Sequence, residues 1–348
     1  MKNLAPLALA ALLAACVPEL DDRSFLVTAP SLLAISSTPA EAAPPASIAY
    51  RALYVDQNGP RSADLSWAFC VARQALTDPG TVSPDCLQPS SDELTPIGTG
   101  ATAAGPLPSD ACRLFGPDSP DEVAGMPAGR PVDPDPTGGF YQPVRLLVQD
   151  PGPVSTIGAT RIACGLAGGN ATLSSAFAAS YRANESPAIA SLSLVRASGS
   201  TPITPDTPGA APGATVTRGE SLTLHATWAT CPTTPACGDG VCGIDETATS
   251  CPADCTTPVG CTGSEQYLVL DPTTSTLTPA REQITVAWYA TGGTLADDTS
   301  GRTAAEAATT SLDNPWIAPA QPGDVWVWLV VRDDRGGVGW QSYRIAVP

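Results

Sequence analysis

The feature that most narrows the fold is a strict period of two near the C-terminus, where Val325, Val327, Leu329 and Val331 alternate with Trp326 and Trp328. Alternation of this kind sends successive side chains to opposite faces of a strand. Asp333-Asp334-Arg335-Gly336-Gly337 follows as a turn by residue type, and Val338 to Val347 returns, so the stretch reads as a β-hairpin. The same period recurs upstream. Leu65, Trp67 and Phe69 alternate with Ser66 and Ala68, which puts Trp67 on a buried face; Leu222, Leu224, Ala226 and Trp228 alternate with Thr223, His225 and Thr227; Ile284, Val286 and Trp288 alternate with Thr285 and Ala287. Ser31 to Ile35, Ser47 to Val55, Phe140 to Gln149 and Thr160 to Leu166 read as further strands, and the Ala/Ser-rich Ala171 to Tyr181 is expected to finish the first pair of sheets. Ser191 to Val195 echoes the first strand, and Glu220 to Trp228, ending near Cys231, echoes Ser47 to Phe69, ending at Cys70: a weak internal repeat. Thr77 to Gly139 is dense in Pro, Gly, Ser and Asp and reads as a long loop that disulfides must pin. With 31 glycines and 37 prolines beside abundant aliphatics and seven tryptophans, the chain suits β-rich modules joined by long loops.

The N-terminus sets the compartment. Lys2 precedes an apolar run, Leu4 to Ala14, of signal-peptide length and too short to span a bilayer. Leu13-Ala14-Ala15-Cys16 closes it and resembles a bacterial lipoprotein lipobox. The resemblance implies cleavage after residue 15, acylation of Cys16, a tether over 16–28 containing Asp21 and Asp22, and, with Val17 next, residence at the outer membrane as the envelope's lipid-anchored face. Lys2 is the only lysine. Without the leader, 16 arginines face 34 acidic residues, a net charge of −18, which argues against a nucleic-acid partner. With Cys16 set aside, ten cysteines remain, four in the first half (Cys70, Cys86, Cys112, Cys164) and six in the second (Cys231, Cys237, Cys242, Cys251, Cys255, Cys261). Even numbers in an exported chain favour disulfides, whose pairing spacing alone leaves open.

"ITVAWYATGG" followed by "VWVWLVVRDDRGGVGWQSYRIAVP" resembles the middle strand and final hairpin of immunoglobulin-like and PKD-like β-sandwiches that occur in tandem on bacterial surface proteins. The implied fold is all-β, two tandem immunoglobulin-like β-sandwiches over 29–186 and 187–348, the first with a long loop insertion, the second with a small disulfide-rich insert at 231–261. Trp288 becomes the buried sandwich tryptophan. "CGDGVCGIDETATSCPADC", Cys237 to Cys255, resembles a cysteine-rich insert of bacterial secreted proteins, with Ala248 where a third cysteine commonly sits. That departure prevents copying the relatives' pairing; the one adopted is Cys237 with Cys251, Cys242 with Cys255, and Cys231 with Cys261 at the base. The whole is similar to lipoproteins of GC-rich, myxobacteria-like genomes, a resemblance that implies no activity.

Four constellations are candidates for chemistry. Asp239, Asp245, Glu246 and Asp254 offer the oxygens calcium takes, as do Asp118 to Glu122 and Asp133 to Asp135, although none has the spacing of a known calcium loop and turn acids ordinarily cap backbone amides. Four insert thiolates could close a zinc site, but the spacings lack two-residue knuckles and export favours oxidation. His225, the only histidine, reads as an exposed strand residue rather than a general base. Trp326, Trp328 and Trp340 form either a flat aromatic face for a glycan or partner, or a stripe covered by a neighbouring domain. No enzyme and no cofactor are expected beyond candidate calcium. The expected role is structural, adhesive or interacting display at the envelope, with an envelope protein or glycan as partner; carbohydrate or peptidoglycan binding through the tryptophans is the alternative, and an envelope hydrolase a distant third.

Overall fold

A computed structural model describes residues 24–73, 82–117, 135–149, 152–167, 170–234, 236–258 and 260–348. The lipobox with Cys16, most of the tether, Asp118 to Glu122 and Asp133 lie outside the described residues. The first half supplies β1 (Ser31–Thr38), β2 (Glu41–Ala42), β3 (Ser47–Asp56), β4 (Gly59–Pro60), β5 (Leu65–Cys70), β6 (Leu94–Thr99), β7 (Thr102–Pro106), β8 (Gly139–Val148) and β9 (Val154–Ala163). These form two sheets, β1-β3-β4 with β7 also paired to β3, and β2-β9-β8-β5-β6. The second half supplies β10 (Ile189–Arg196), β11 (Gly199–Pro202), β12 (Ala214–Thr215), β13 (Ser221–Trp228), β14 (Gln266–Asp271), β15 (Thr276–Arg281), β16 (Ile284–Ala290), β17 (Thr294–Leu295), β18 (Thr299–Arg302), β19 (Ser311–Ile317), β20 (Gly323–Asp333) and β21 (Val338–Val347). Its sheets are β11-β10-β13-β19-β17 and β12-β21-β20-β16-β18, with β14-β15 a separate hairpin.

The two halves share one topology. In each, a short strand leaves the first sheet to run parallel to the last strand of the other, β2 on β9 (Glu41 opposite Arg161) and β12 on β21 (Ala214 opposite Ile345). Greek-key sandwiches of this strand order are immunoglobulin-like. The corresponding central strands β5 and β16 each carry a fully buried tryptophan. Trp67 donates its indole N–H to the Gly100 carbonyl at 2.8 Å and Trp288 to Ser300 Oγ at 2.9 Å, so both bury ring area without stranding a donor. Val325, Val327, Leu329 and Val331 join Trp288 in the second core.

Three sequence expectations are corrected. Thr77 to Gly139 is not loop throughout, because β6 and β7 complete the first sandwich as short strands. Ala171 to Tyr181 is not sheet: it is a helix, α2 (Ala171–Ser180), following a single turn α1 (Ala111–Phe115). Asn170 caps it by accepting from the Leu173 amide at 2.9 Å, and Phe177 is its buried anchor. Finally, the repeat pairs β13 with β3, not with β5, so Cys231 and Cys70 follow non-equivalent strands.

The sandwiches pack side by side. Outward residues of β1 and β3 (Ala34, Leu53, Val55), with Val27, form one apolar cluster with Ala287, Trp328 and Val330 of β16 and β20. Phe25 reaches the second core, and Phe25–Val27 bonds to Ala290 through Val27 N–H to its carbonyl at 2.9 Å and its N–H to Phe25 at 3.0 Å. The end of the expected tether is therefore docked on the second sandwich.

Candidate functional site

The tryptophan face is the domain joint. Trp328 is 0% exposed, stacked on Trp326 with ring centroids 6.0 Å apart and an interplanar angle of 7°. Trp326 lies against Gly59, where an added Cβ would meet its ring at 2.4 Å. Trp340 lies under the Arg51 guanidinium, 4.7 Å from the ring centroid. Of the two readings of Trp326, Trp328 and Trp340, the structure has the covered stripe: β3 and its turn lie against the patch, leaving Trp328 inaccessible and Trp326 and Trp340 partly exposed.

At one end of this joint lies a buried ionic network absent from the sequence reading. Arg335, in the β20–β21 turn, donates to Glu282 at 2.6 Å and Glu265 at 2.8 Å, with all three side chains nearly inaccessible. Glu265 further accepts from the Cys261 amide at 2.7 Å and the Glu185 amide at 3.0 Å, and Glu282 from the Glu265 amide at 2.9 Å. Asp333 accepts from the Arg335 and Gly337 amides and from Asn184. From the first sandwich, Arg161 donates to Glu41 at 3.0 Å and Asp135 at 3.4 Å. Gly139 makes room for that guanidinium, since a Cβ there would stand 1.9 Å from its Cζ. Glu41 then accepts from the Asn184 amide at 2.9 Å and from the Tyr181 hydroxyl, and Tyr141 donates its hydroxyl to the Arg335 carbonyl at 3.1 Å. Residues 181–185, joining the domains, are thereby held by charges from both. Burial pushes the Glu282 carboxyl up to about 8 against the pull of Arg335, and raises Glu265 and Asp333 likewise. Burial alone would lower the Arg335 guanidinium; Glu282 and Glu265 outweigh it and raise it.

The excursion between β13 and β16 carries the insert. Its bonds are Cys231–Cys261, Cys237–Cys251 and Cys242–Cys255, the three pairs adopted above; the first half holds Cys70–Cys86 and Cys112–Cys164. These bonds remove the thiolates a zinc site would need. Cys237, Glu246, Cys251 and Asp254 come together, but with both sulfurs in one bond only two carboxylates remain. Asp254 accepts from the Gly238 amide at 2.5 Å and the Gly240 amide at 3.2 Å, Glu246 from Gly243 at 2.9 Å, and Asp239 from Val241 at 2.9 Å and Ala236 at 3.1 Å, while Asp245 is exposed. These acids cap turns, and Asp239 and Asp245 stand outside the group, so the set does not fit the six or more oxygens calcium takes.

His225 does have an acid. Asp313 lies opposite it on β19, Nδ1 to Oδ1 2.7 Å, and Ser193 lies opposite on β10. Among the described residues no hydrogen bond joins Ser193 to His225. The row crosses the outer face of the sheet, where Ser193 is paired with Pro202 on one side and His225 on the other.

Between the insert and residues 182–185 is a small cleft, with about 80 Å³ of water-accessible space, walled by Pro232, Val241, Pro258 and Cys231–Cys261, with Glu185 and Asp239 among its polar residues. Arg182 closes one side, its guanidinium donating to the Cys242 and Gly243 carbonyls at 2.9 and 2.8 Å and also to that of Glu246. Cleft, insert and ionic network gather where β16 begins, as Ile284 lies opposite Asp333. Phe25–Val27 docks where β16 ends, roughly 20 Å away at the strand's rise per residue.

No protein-family model matches the chain, and no curated protein matches it. Solved structures give low-level likenesses. The adhesin InvE of Yersinia pseudotuberculosis is 10% identical over 90% of this chain and 58% of its own, with a TM-score of 0.20. The C-terminal domain of the AgI/II polypeptide BspA of Streptococcus agalactiae is 10% identical over 87% and 94%, with a TM-score of 0.23. E. coli alpha-2-macroglobulin is 12% identical over 92% and 17%, with a TM-score of 0.21. Scores this low carry no argument about function. Among the described residues no helix is long and apolar enough to cross a membrane.

Proposed function

We propose that this is an exported, lipid-anchored envelope protein with an adhesive or interaction role, whose two sandwiches act as one rigid body displaying the disulfide-braced insert. The observation that carries it is the polarity of the second sandwich. The segment following Cys16 docks at the Ala290 end of β16, and the insert with its cleft leaves from the Ile284 end. An anchor on Cys16 would then hold one pole near the lipid and turn the insert outward. Five disulfides support an oxidising compartment. An outer-membrane address and kinship with lipoproteins of GC-rich genomes belong to the same proposal.

The test is fractionation with mass spectrometry. Wild-type protein is expected in the membrane pellet with an acyl mass on Cys16 and no free thiol among the other ten cysteines; Cys16→Ser is expected in the soluble fraction. Recovery of wild-type protein from the cytosol, leader intact and thiols reduced, overturns the proposal.

A further inference from the structure

We infer that the cleft between the insert and the interdomain segment binds a lysine side chain of a partner polypeptide, with the Glu185 carboxylate as its counter-ion. This specifies the partner chemistry of the display role and depends on the insert pole being the exposed one.

Glu185 is the one cleft carboxylate that is both half-buried and uncommitted. Its amide is fixed on Glu265 at 3.0 Å, and Gly260 packs against its stem, where an added Cβ would stand 2.3 Å from Cγ. The stem is therefore held while, among the described residues, no hydrogen bond or ion pair reaches the carboxylate. The nearby cations are spent: Arg335 on Glu265 and Glu282, and Arg182 on main-chain carbonyls. A half-desolvated carboxylate with no hydrogen-bonded partner, and only the more distant Arg335 charge acting on it, favours an arriving cation. Desolvation raises its pKa against the pull of the Arg335 charge, and a bound ammonium would reverse that balance.

The walls choose among cations. Calcium takes six to eight oxygens, whereas Glu265 is saturated by Arg335 and two amides and Asp239 by two amides. A guanidinium pairs with a carboxylate through a broad planar fork, whereas a small cleft with apolar walls suits the compact charge of an ammonium on a methylene stem. Pro232, Val241, Pro258 and Cys231–Cys261 would flank that stem. The chain's only lysine is Lys2, in the leader, so the occupant comes from another molecule. Exposed Asp239 lies at the rim, available to steer but not to seat it.

The experiment uses the oxidised full chain carrying Cys16→Ser, titrated with acetyl-Gly-Lys-Gly-amide, its norleucine analogue, 1,5-diaminopentane and calcium chloride, and followed by amide chemical shifts. The lysine peptide is expected to saturate with shifts at residues 182–185 and 260, and the norleucine peptide to give none. Glu185→Gln should weaken binding by about tenfold at unchanged melting temperature, and Asp239→Asn by about twofold. Should Glu185→Gln misfold, carbodiimide condensation on the Cys16→Ser chain decides: an amide between the lysine amine and Glu185, found by mass spectrometry, supports the assignment. Its absence there overturns it. So do equal binding of norleucine, unaltered binding by a folded Glu185→Gln, or displacement by calcium at lower concentration; tighter binding of the free diamine overturns the polypeptide source. The lipid-free protein reports on the cleft alone, so failure here leaves the anchoring test untouched.

Discussion

The two sandwiches are built on the same strand order yet are secured differently. In the first, Cys70–Cys86 ties the excursion after β5 to that strand's end, and Cys112–Cys164 ties α1 to the end of β9. In the second, all three bonds lie in the β13–β16 excursion, and no bond links its sheets. Neither core is stapled across. Each is closed by one tryptophan on its central strand and the aliphatics around it, Trp67 in the first and Trp288 in the second. Disulfides here secure what the cores cannot reach, the chain between strands, where a small buried area gives little to oppose conformational entropy. The buried arginines repeat the pattern: each joins strand ends to an excursion, Arg161 to Glu41 and Asp135, Arg335 to Glu265 and Glu282.

The largest effect expected follows from comparing those arginines. Arg335→Met leaves the inaccessible Glu265 and Glu282 carboxyl groups without the guanidinium they share and should cost about 3–5 kcal/mol in urea unfolding. Arg161→Met should cost less: each arginine leaves one inaccessible carboxyl, Glu41 or Glu282, but the second partner of Arg161, Asp135, is 21% exposed and can be hydrated, against 6% for Glu265. Equal losses would mean that the two sandwiches are not differently dependent on their charge clusters. Next come the bridges. The chain-entropy model gives about 4 kcal/mol for Cys112–Cys164, which spans 52 residues, and about 3 kcal/mol for Cys237–Cys251, which spans 14. The first should lower the global midpoint of Cys112→Ser/Cys164→Ser. Cys237→Ser/Cys251→Ser should leave that midpoint nearly unchanged and instead open the insert to limited proteolysis, since the lost constraint is confined to the excursion.

How much of this was legible before the fold follows from the same contrast. Alternating aromatics marked β5, β13, β16 and β20 and their buried faces, because a half-buried strand must alternate. The strands β6 and β7 were not legible: LTPIGT and TAAGP pack at sheet margins with small and polar residues, so they show no apolar period. The helix α2 was misread through its Ala and Ser content, although Asn170 before Ala171 and Leu173 four residues from Phe177 were capping and spacing signals. Its weak amphipathicity gave no stripe to follow. The ionic network was invisible for another reason. Glu41 and Arg161 are 120 residues apart, and Arg335 sits in a turn where an arginine is ordinarily solvated. The tryptophan face was legible as a face; only the register of the first sandwich against it revealed what covers it.

The second sandwich's charge cluster should also respond to pH as a core does not. Glu282 titrates near 8 when folded against an ordinary 4.5, so the folded state holds its proton between those values. The stability this contributes is complete below about 4.5 and is lost as pH rises through about 8. Glu265 and Asp333, shifted the same way, extend the effect. Urea midpoints should rise as pH is lowered from 8 toward 5, and Glu282→Gln should flatten the slope. An unaltered slope in Glu282→Gln would place the titrating groups elsewhere.

The smallest effect belongs to α2, which has no counterpart in the second sandwich. One buried residue, Phe177, anchors it, ringed by Tyr181 at 5.0 Å, and Gly138 lies against the Phe177 ring, where a Cβ would stand 2.5 Å from Cζ. A helix of ten residues is marginal without its caps and packing, so Asn170→Ala, which leaves the Leu173 amide unpaired, should cost about 1 kcal/mol. Because α2 leads into residues 181–184, which both charge clusters grip, the loss has two distinguishable destinations. If the joint is rigid, exchange should quicken at Leu173 and its turn alone, with Asn184, bound to Glu41 and Asp333, as protected as before. Faster exchange at Asn184 as well would make the helix part of the joint, and the two sandwiches would then be coupled through a segment that only the first possesses.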